Sequence, residues 1–173
     1  MDLWTAIDRR YSVRWFSSAE VSASTVRKIL AAAIRAPSAG NRQPWHFIVV
    51  RREAVKHALA RAAYGQGFVA QAPVVIVVCA DPERSAVRYG ARGRELYCLQ
   101  DTAAATEHML LAATALGLGG CWVGAFDEMA AARALALPRA LRPVAIVPIG
   151  EPMPEPGGRT PRRPLSEVTS FME

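Results

Sequence analysis

The sequence predicts a layered α+β or α/β domain, and three observations carry that prediction. Amphipathic segments of helical period alternate irregularly with short β-branched runs. One run, "PVVIVVCA" at 73–80, is apolar at every position, the pattern of a strand covered on both faces. No strand-like run is followed by GxGxxG: "GLGG" at 117–120 ends a helical segment where a dinucleotide fingerprint would begin one, so a Rossmann unit is not supported. At 173 residues, 51% hydrophobic and 21% charged, residues 1–173 read as a single domain. A chain of this length buries about two thirds of its unfolded surface.

The elements follow in order. Leu3, Trp4 and Ile7 share one face of a short first helix that Asp2 can cap. Ser22 or Ser24 caps a second helix, in which Val26, Ile29, Leu30, Ala33 and Ile34 recur at helical spacing. Pro37 stops it by Ala36, because a residue ahead of proline is pushed out of the helical region. The proline-framed, polar stretch "RAPSAGNRQPW" then runs directly into "WHFIVV", which reads as a strand from the middle of a sheet. Glu53 to Ala63 is a helix, and "PVVIVVCA" the central strand.

Residues 82–94, with Pro82, Gly90 and Gly93 and no apolar period, read as a basic connection. Leu96 to Leu116 is the longest helical segment, apolar on more than one face and therefore buried, with Gly117 and Gly119 ending it. "CWVGAF" is a short strand. Asp127 caps a helix to about Leu137, stopped by Pro138, and "PVAIVPIG" is the last strand. The total is about four strands and five helices. Residues 151–173 are rich in proline and glycine and carry too little apolar surface to fold alone, so they are expected to lie on a neighbour.

Composition excludes several functions. The first residues lack the apolar core of a secretion signal, and the most apolar strand-like run is far below the roughly 20 residues a membrane span needs, so a cytoplasmic protein is expected. Cys79, Cys98 and Cys121 sit in apolar surroundings without a CxxC or a histidine at ligand spacing; they read as buried thiols, not as a metal or redox site. The 21 Lys+Arg against 15 Asp+Glu give a net charge of +6. The arginines are dispersed in small groups without a nucleic-acid motif, which suits a small anionic ligand better than a nucleic acid.

Chemistry is expected in two places. In an extended segment, Arg10, Ser12 and Arg14 of "RRYSVR" point the same way, so two guanidinium groups and a hydroxyl converge on one anion, as phosphate recognition requires. The competing interpretation is a solvated basic face. "PSAGNRQPW" offers hydroxyl, amide and backbone groups able to read the edge of a planar heterocycle, against the alternative of an ordinary loop capping a sheet.

Five fragments appear in order: "RRYSVRWF", "APSAGNRQPWHFIVV", "QAPVVIVVCA", "QDTAAATEHMLLAATALGLGGCWVGAF", and "PIGEP" with "PRRPL". Together they resemble the nitroreductase family of FMN-dependent oxidoreductases across nearly the whole chain. The resemblance implies an α+β fold, a layered α-β-α sandwich with a mixed, largely antiparallel central sheet. It also implies an intertwined homodimer with FMN at the subunit interface and a tail, about 151–173, that reaches across to the partner.

By the same resemblance, Arg10, Tyr11 and Ser12 lie in the segment that contacts the FMN phosphate and ribityl chain. Arg14 stands near the N1 and O2 edge, where a fixed cation favours the reduced, negatively charged ring. Pro37, Ser38 and Ala39 approach the ring from the partner subunit, with Asn41 as a polar group at the isoalloxazine. Gln66 corresponds to an amide at the pyrimidine edge. Gly119 and Gly120 belong to the glycine-rich turn, 117–124, that passes near N5. Arg162, or alternatively Arg163, closes on the phosphate. Thr160 stands where larger relatives often carry a second base, so the phosphate is either held more weakly or by Arg159 instead.

The implied chemistry is ping-pong hydride transfer: NADH or NADPH reduces FMN at N5, and a nitroaromatic, quinone or similar small molecule then takes the same slot. No side-chain nucleophile is needed. His46, His57 and His108 are isolated and read as structural or surface residues, Glu107 pairs with a late arginine or faces solvent, and Trp15, Tyr89 and Trp122 either line a slot or pack. The rival readings are flavin breakdown or reductive dehalogenation on the same scaffold, and an FMN-binding or regulatory protein without turnover.

Overall fold

The computed structural model describes residues 1–154 and 160–172. Its centre is a four-stranded antiparallel sheet of order β1-β2-β4-β3, with β1 Trp45–Val50, β2 Val74–Ala80, β3 Gly119–Gly120 and β4 Arg142–Gly150. β1 meets β2 in the register Val50 to Val75, and β2 meets β4 in the register Val74 to Ile149, with a bulge between Val78 and Cys79.

Every residue of β2 is buried, and the pleat explains how. Val75, Val77 and Cys79 face one core with Val13, Phe16, Leu59, Val69 and Ile146; Val74, Ile76 and Val78 face the other with Ile29, Met109, Ala145 and Val147. The first core is covered by α3 (Glu53–Ala62), α4 (Phe68–Gln71) and α7 (Glu128–Ala134), the second by α2 (Ala23–Ala33) and α6 (Cys98–Ala115). The result is the α-β-α sandwich of the α+β class that the resemblance implied. Ser12 adds one parallel bridge, to Gly120.

Helix starts follow the capping residues. Asp2 opens α1 (Leu3–Arg9) by accepting from the Thr5 N–H at 3.0 Å, Ser22 opens α2 from Thr25 at 3.1 Å, and Asp127 opens α7 from Ala130 at 2.9 Å. Gly117, at φ 79°, closes α6 by letting the Leu118 N–H turn back to the Ala113 carbonyl at 2.9 Å.

Four expectations change. "WHFIVV" is an edge strand, with Val49 exposed; sheet order is decided by distant pairing partners, and β2 takes the central place. Residues 82–92 are α5 (Pro82–Arg92), kinked at Gly90, and not a connection. Its helix start is the Asp81 cap with Pro82 at the first position, and it lacks an apolar period because Ser85 alone is buried. "CWVGAF" is not a strand; the strand is Gly119–Gly120, and Val123 makes a single bridge to Ile146. With α5 and the four-residue α4, the described residues hold seven α-helices instead of about five.

All three cysteines are buried and outside any disulfide. Among the described residues no cluster of His, Cys, Asp and Glu could hold a metal, and no helix is long and apolar enough to cross a membrane.

Candidate functional site

The first half of the site is the segment that leaves α1. Arg10 caps the helix with extended backbone (φ −62°, ψ 125°), and the chain then runs straight past β3. The Val13 N–H donates to the Gly120 carbonyl at 3.0 Å. Farther on, Phe16 bridges Pro152, the Ser17 N–H donates to the Glu151 carbonyl, and the Met153 N–H to that of Trp15, both at 3.0 Å. Residues 12–17 are therefore held between β3 and the first residues past β4.

Extension sorts the side chains. Val13 is 1% exposed and Tyr11 packs on the first core, whereas Arg14 is exposed. Arg10 lies 3.8 Å from Glu107 of α6. Arg14 donates to the Ser12 carbonyl at 3.4 Å, and its guanidinium stands 5.9 Å above the Phe68 ring. Gly119 and Gly120 have a packing reason to be small. A Cβ on Gly119 would strike the Val13 side chain, and one on Gly120 would come within 2.9 Å of Leu110 Cδ2. Gly119 thus lets the arginine-bearing segment lie directly on the sheet, and Gly120 makes room for α6.

The second half is the turn between α2 and β1. Ser38 is extended, and its hydroxyl accepts from the Gln43 N–H at 3.0 Å. Gly40, Asn41 and Gln43 all have positive φ (53°, 54° and 51°), a strained path that glycine and asparagine tolerate and glutamine does not favour. The Gln43 amide donates to Asn41 Oδ1 at 3.0 Å.

The anchor of this turn is Asp101 on α6, whose Oδ1 accepts the Ala39 N–H at 3.0 Å. Asp101 is 6% exposed and its Oδ2 has no hydrogen-bond partner among the described residues. Burial pushes its pKa above the ordinary carboxylate value, against the lowering effect of the Ala39 hydrogen bond. Asp101 was not among the expected site residues. Its signal was an acid on the inward face of a buried helix, in step with Ala105 and Met109.

The remaining expected residues are less converged. Gln66 uses its amide nitrogen on two backbone carbonyls, Ala63 at 3.0 Å and Ala125 at 3.1 Å, leaving Oε1 as the group it can offer. Among the described residues Arg162 reaches only Thr160, with contacts of 3.4 and 3.5 Å, and Arg163 pairs with Glu167 at 3.1 Å. Both arginines are exposed and locally engaged, away from the Arg10 segment in sequence and in contacts. Arg159 lies outside the described residues. Glu107 meets the early Arg10 instead of a late arginine. His46 is exposed, His57 lies 4.0 Å from Glu53, and His108 Nδ1 is 3.3 Å from the Ala32 carbonyl. Two clefts, of about 560 and 500 Å³, flank α3 and are lined by none of the expected site residues.

A two-layer helical cover on an antiparallel sheet, with an arginine-bearing N-terminal segment stitched to a glycine pair, defines a class. The chain belongs to the nitroreductase family: the model of the "Nitroreductase family" matches residues 7–151. It is 42% identical over 151 residues to a protein of Archaeoglobus fulgidus with the provisional name NADH dehydrogenase/NAD(P)H nitroreductase, covering 84% of this chain and 83% of that one. It is 33% identical over 195 residues to a protein of Thermus thermophilus named NADH dehydrogenase, covering 97% and 95%. Among solved structures, a nitroreductase family protein from Clostridium novyi NT superposes with a TM-score of 0.80 at 37% identity, covering 88% of this chain and 86% of that one.

Proposed function

We propose that the chain is an FMN-dependent NAD(P)H oxidoreductase that works as a homodimer and reduces small acceptors such as nitroaromatics or quinones. The observation that carries this reading is the extended segment that bears Arg10, Ser12 and Arg14 and is fixed to Gly120. Family membership and the names of the relatives support it.

The donor set fits a flavin mononucleotide. Arg10 and Ser12 offer the charged and hydroxyl groups that a phosphate and a polyol need. Arg14 is an exposed cation with one long backbone contact, free to turn toward a ring edge that gains negative charge. Gln66 Oε1 is an acceptor suited to a ring N–H. When bound, FMN supplies hydride transfer, taken from the reduced nicotinamide and given to the acceptor in turn in one slot.

A second copy is needed to complete the arrangement. The turn at 37–41 then serves the partner's ring, held in shape by Asp101 before any ligand arrives. The apolar side chains of α1 and of residues 160–172 favour such pairing: Trp4 is 78% and Phe171 85% exposed in one chain. Residues 151–173 crossing to the partner would bring Arg162 or Arg163 to the phosphate.

The test is the visible spectrum and steady-state NAD(P)H oxidation of the purified protein, alone and with Arg10→Gln/Arg14→Gln. A yellow wild type and a colourless double variant are expected, with NAD(P)H consumed in the presence of a quinone or nitroaromatic. A wild type that stays monomeric and binds no added FMN overturns the reading. A yellow protein that consumes no NAD(P)H is a flavin-binding protein without turnover.

A further inference from the structure

We propose that Arg42, Arg84 and Arg88 form the docking site for the 2′-phosphate of NADPH, so that the enzyme selects NADPH over NADH. The inference rests on the flavin reading above and names which nicotinamide cofactor that site takes.

Arg84 and Arg88 are one turn apart on α5, so they share a face. That face packs on the turn between α2 and β1. Arg42 Nε donates to the Arg84 carbonyl at 2.9 Å, and Arg84 Nε returns the bond to the Arg42 carbonyl at 2.6 Å. Each guanidinium thus lies across the other's backbone. Arg88 adds a third: its Nη1 and Cδ come within 3.0 and 3.2 Å of the place a Gly40 Cβ would occupy, and its guanidinium stands 5.5 Å from the Tyr89 ring centre.

The side chains of Arg84 and Arg88 therefore lie against residues 40–42 and that of Arg42 lies on the first turn of α5, and among the described residues none of the three is paired with a carboxylate. Their neighbours are handled differently: Arg94 is gripped by both oxygens of Glu83 at 2.8 and 2.9 Å, and Arg142 by both of Glu128. Like charges gathered with no carboxylate between them repel one another. A phosphomonoester, with a charge of roughly −1.5 to −2 and three terminal oxygens on one phosphorus, turns that repulsion into paired contacts.

Position identifies the rest of the ligand. Arg42 follows Asn41 in the turn assigned to the flavin ring, so a phosphate held here belongs to a molecule whose other end reaches that ring. A reduced nicotinamide with a phosphate on its adenosine meets this description. The terminal monoester concentrates its charge on one phosphorus, which suits a compact group of unpaired arginines, while a pyrophosphate spreads it over two phosphorus atoms.

The experiment compares kcat/KM for NADPH and NADH in the holoenzyme and in Arg84→Gln/Arg88→Gln, with Arg27→Gln/Lys28→Gln as an equal charge change elsewhere. Expected is a 10- to 100-fold fall, to order of magnitude (~), in the NADPH:NADH ratio, expressed mainly in KM. The control pair should leave the ratio near that of the wild type. Calorimetric titration with 2′,5′-ADP, which has no nicotinamide, should show binding weakened by the same factor. Equal losses for both cofactors, an unaltered ratio, or loss of FMN from the α5 variant would each overturn the assignment. A colourless wild type that still binds 2′,5′-ADP through these arginines would instead sink the flavin reading and leave the phosphate site standing.

Discussion

Replacing Asp101 separates the two things this residue does. Its Oδ1 holds the Ala39 N–H at 3.0 Å, and its Oδ2 is buried without a partner among the described residues. Asp101→Ala removes the anchor; since Ala39 is half-buried and its N–H can find water, the expected loss is about 1–2 kcal/mol, the lower part of the range for a hydrogen bond to a charged acceptor. Asp101→Asn keeps an acceptor for Ala39 and removes a charge that burial disfavours. It should cost less than about 1 kcal/mol, or stabilise.

The pH dependence carries the sign. Because the folded protein holds the Asp101 proton more tightly than the unfolded chain, it binds more protons between the two pKa values, and stability falls as pH rises through that window, starting near the ordinary value of 3.8. Below it the charge penalty vanishes; above the raised folded value the penalty is complete. Urea midpoints at fixed protein concentration, from about pH 4 to about pH 8, should show the Asn variant gaining on wild type as pH rises. An Asn variant as unstable as the Ala variant, or a gap that does not widen with pH, would refute the argument that Asp101 acts as an acceptor burdened by its own charge.

Two more outcomes follow from packing. Gly119→Ala places a methyl group on Val13 and should cost about 1–3 kcal/mol, and Val13→Ala in the same chain should recover part of it. Strict additivity of the two denaturation midpoints, within about 0.5 kcal/mol, would show that the contact is not what makes alanine unwelcome. Burial pushes the Cys79 thiol up to about 12. Iodoacetamide followed by peptide mapping should leave Cys79 unmodified in the native protein and modify it once the chain is unfolded in urea, whereas labelling at equal rates in both would contradict its burial.

What could be read from the sequence was whatever a local signal specifies. The all-apolar β2 and the caps Asp2, Ser22 and Asp127 are properties of contiguous residues, and the fold keeps them. What failed was decided at a distance. β1 has the composition of an inner strand, but β2 pairs with β4 across the long insertion that contains α5 and α6, and this leaves β1 at the edge. α5 was hidden because a helix that buries only Ser85 shows no apolar period; its Asp81-Pro82 start was the surviving clue. Gly119 and Gly120 suggested ring contact by family resemblance, yet their neighbours Val13 and Leu110 show a second demand that no local pattern encodes.

The same distinction explains why α6 organises the site although its sequence suggests only a core helix. Its only two acids, Asp101 and Glu107, are six residues apart, about 9 Å along the axis and about 240° around it, so they point to different sides. Asp101 takes the turn at 38–41, and Glu107 lies beside Arg10 at the start of the extended segment. One rigid, buried helix thereby fixes the relative positions of the two stretches from which chemistry is expected, without a residue of its own in the reaction. That economy follows from burial. A helix packed on both sheet and helices cannot shift to suit one ligand contact without moving the other, so the Asp101 hydrogen bond and the Glu107 contact refer two segments that are far apart in the chain to the same core element.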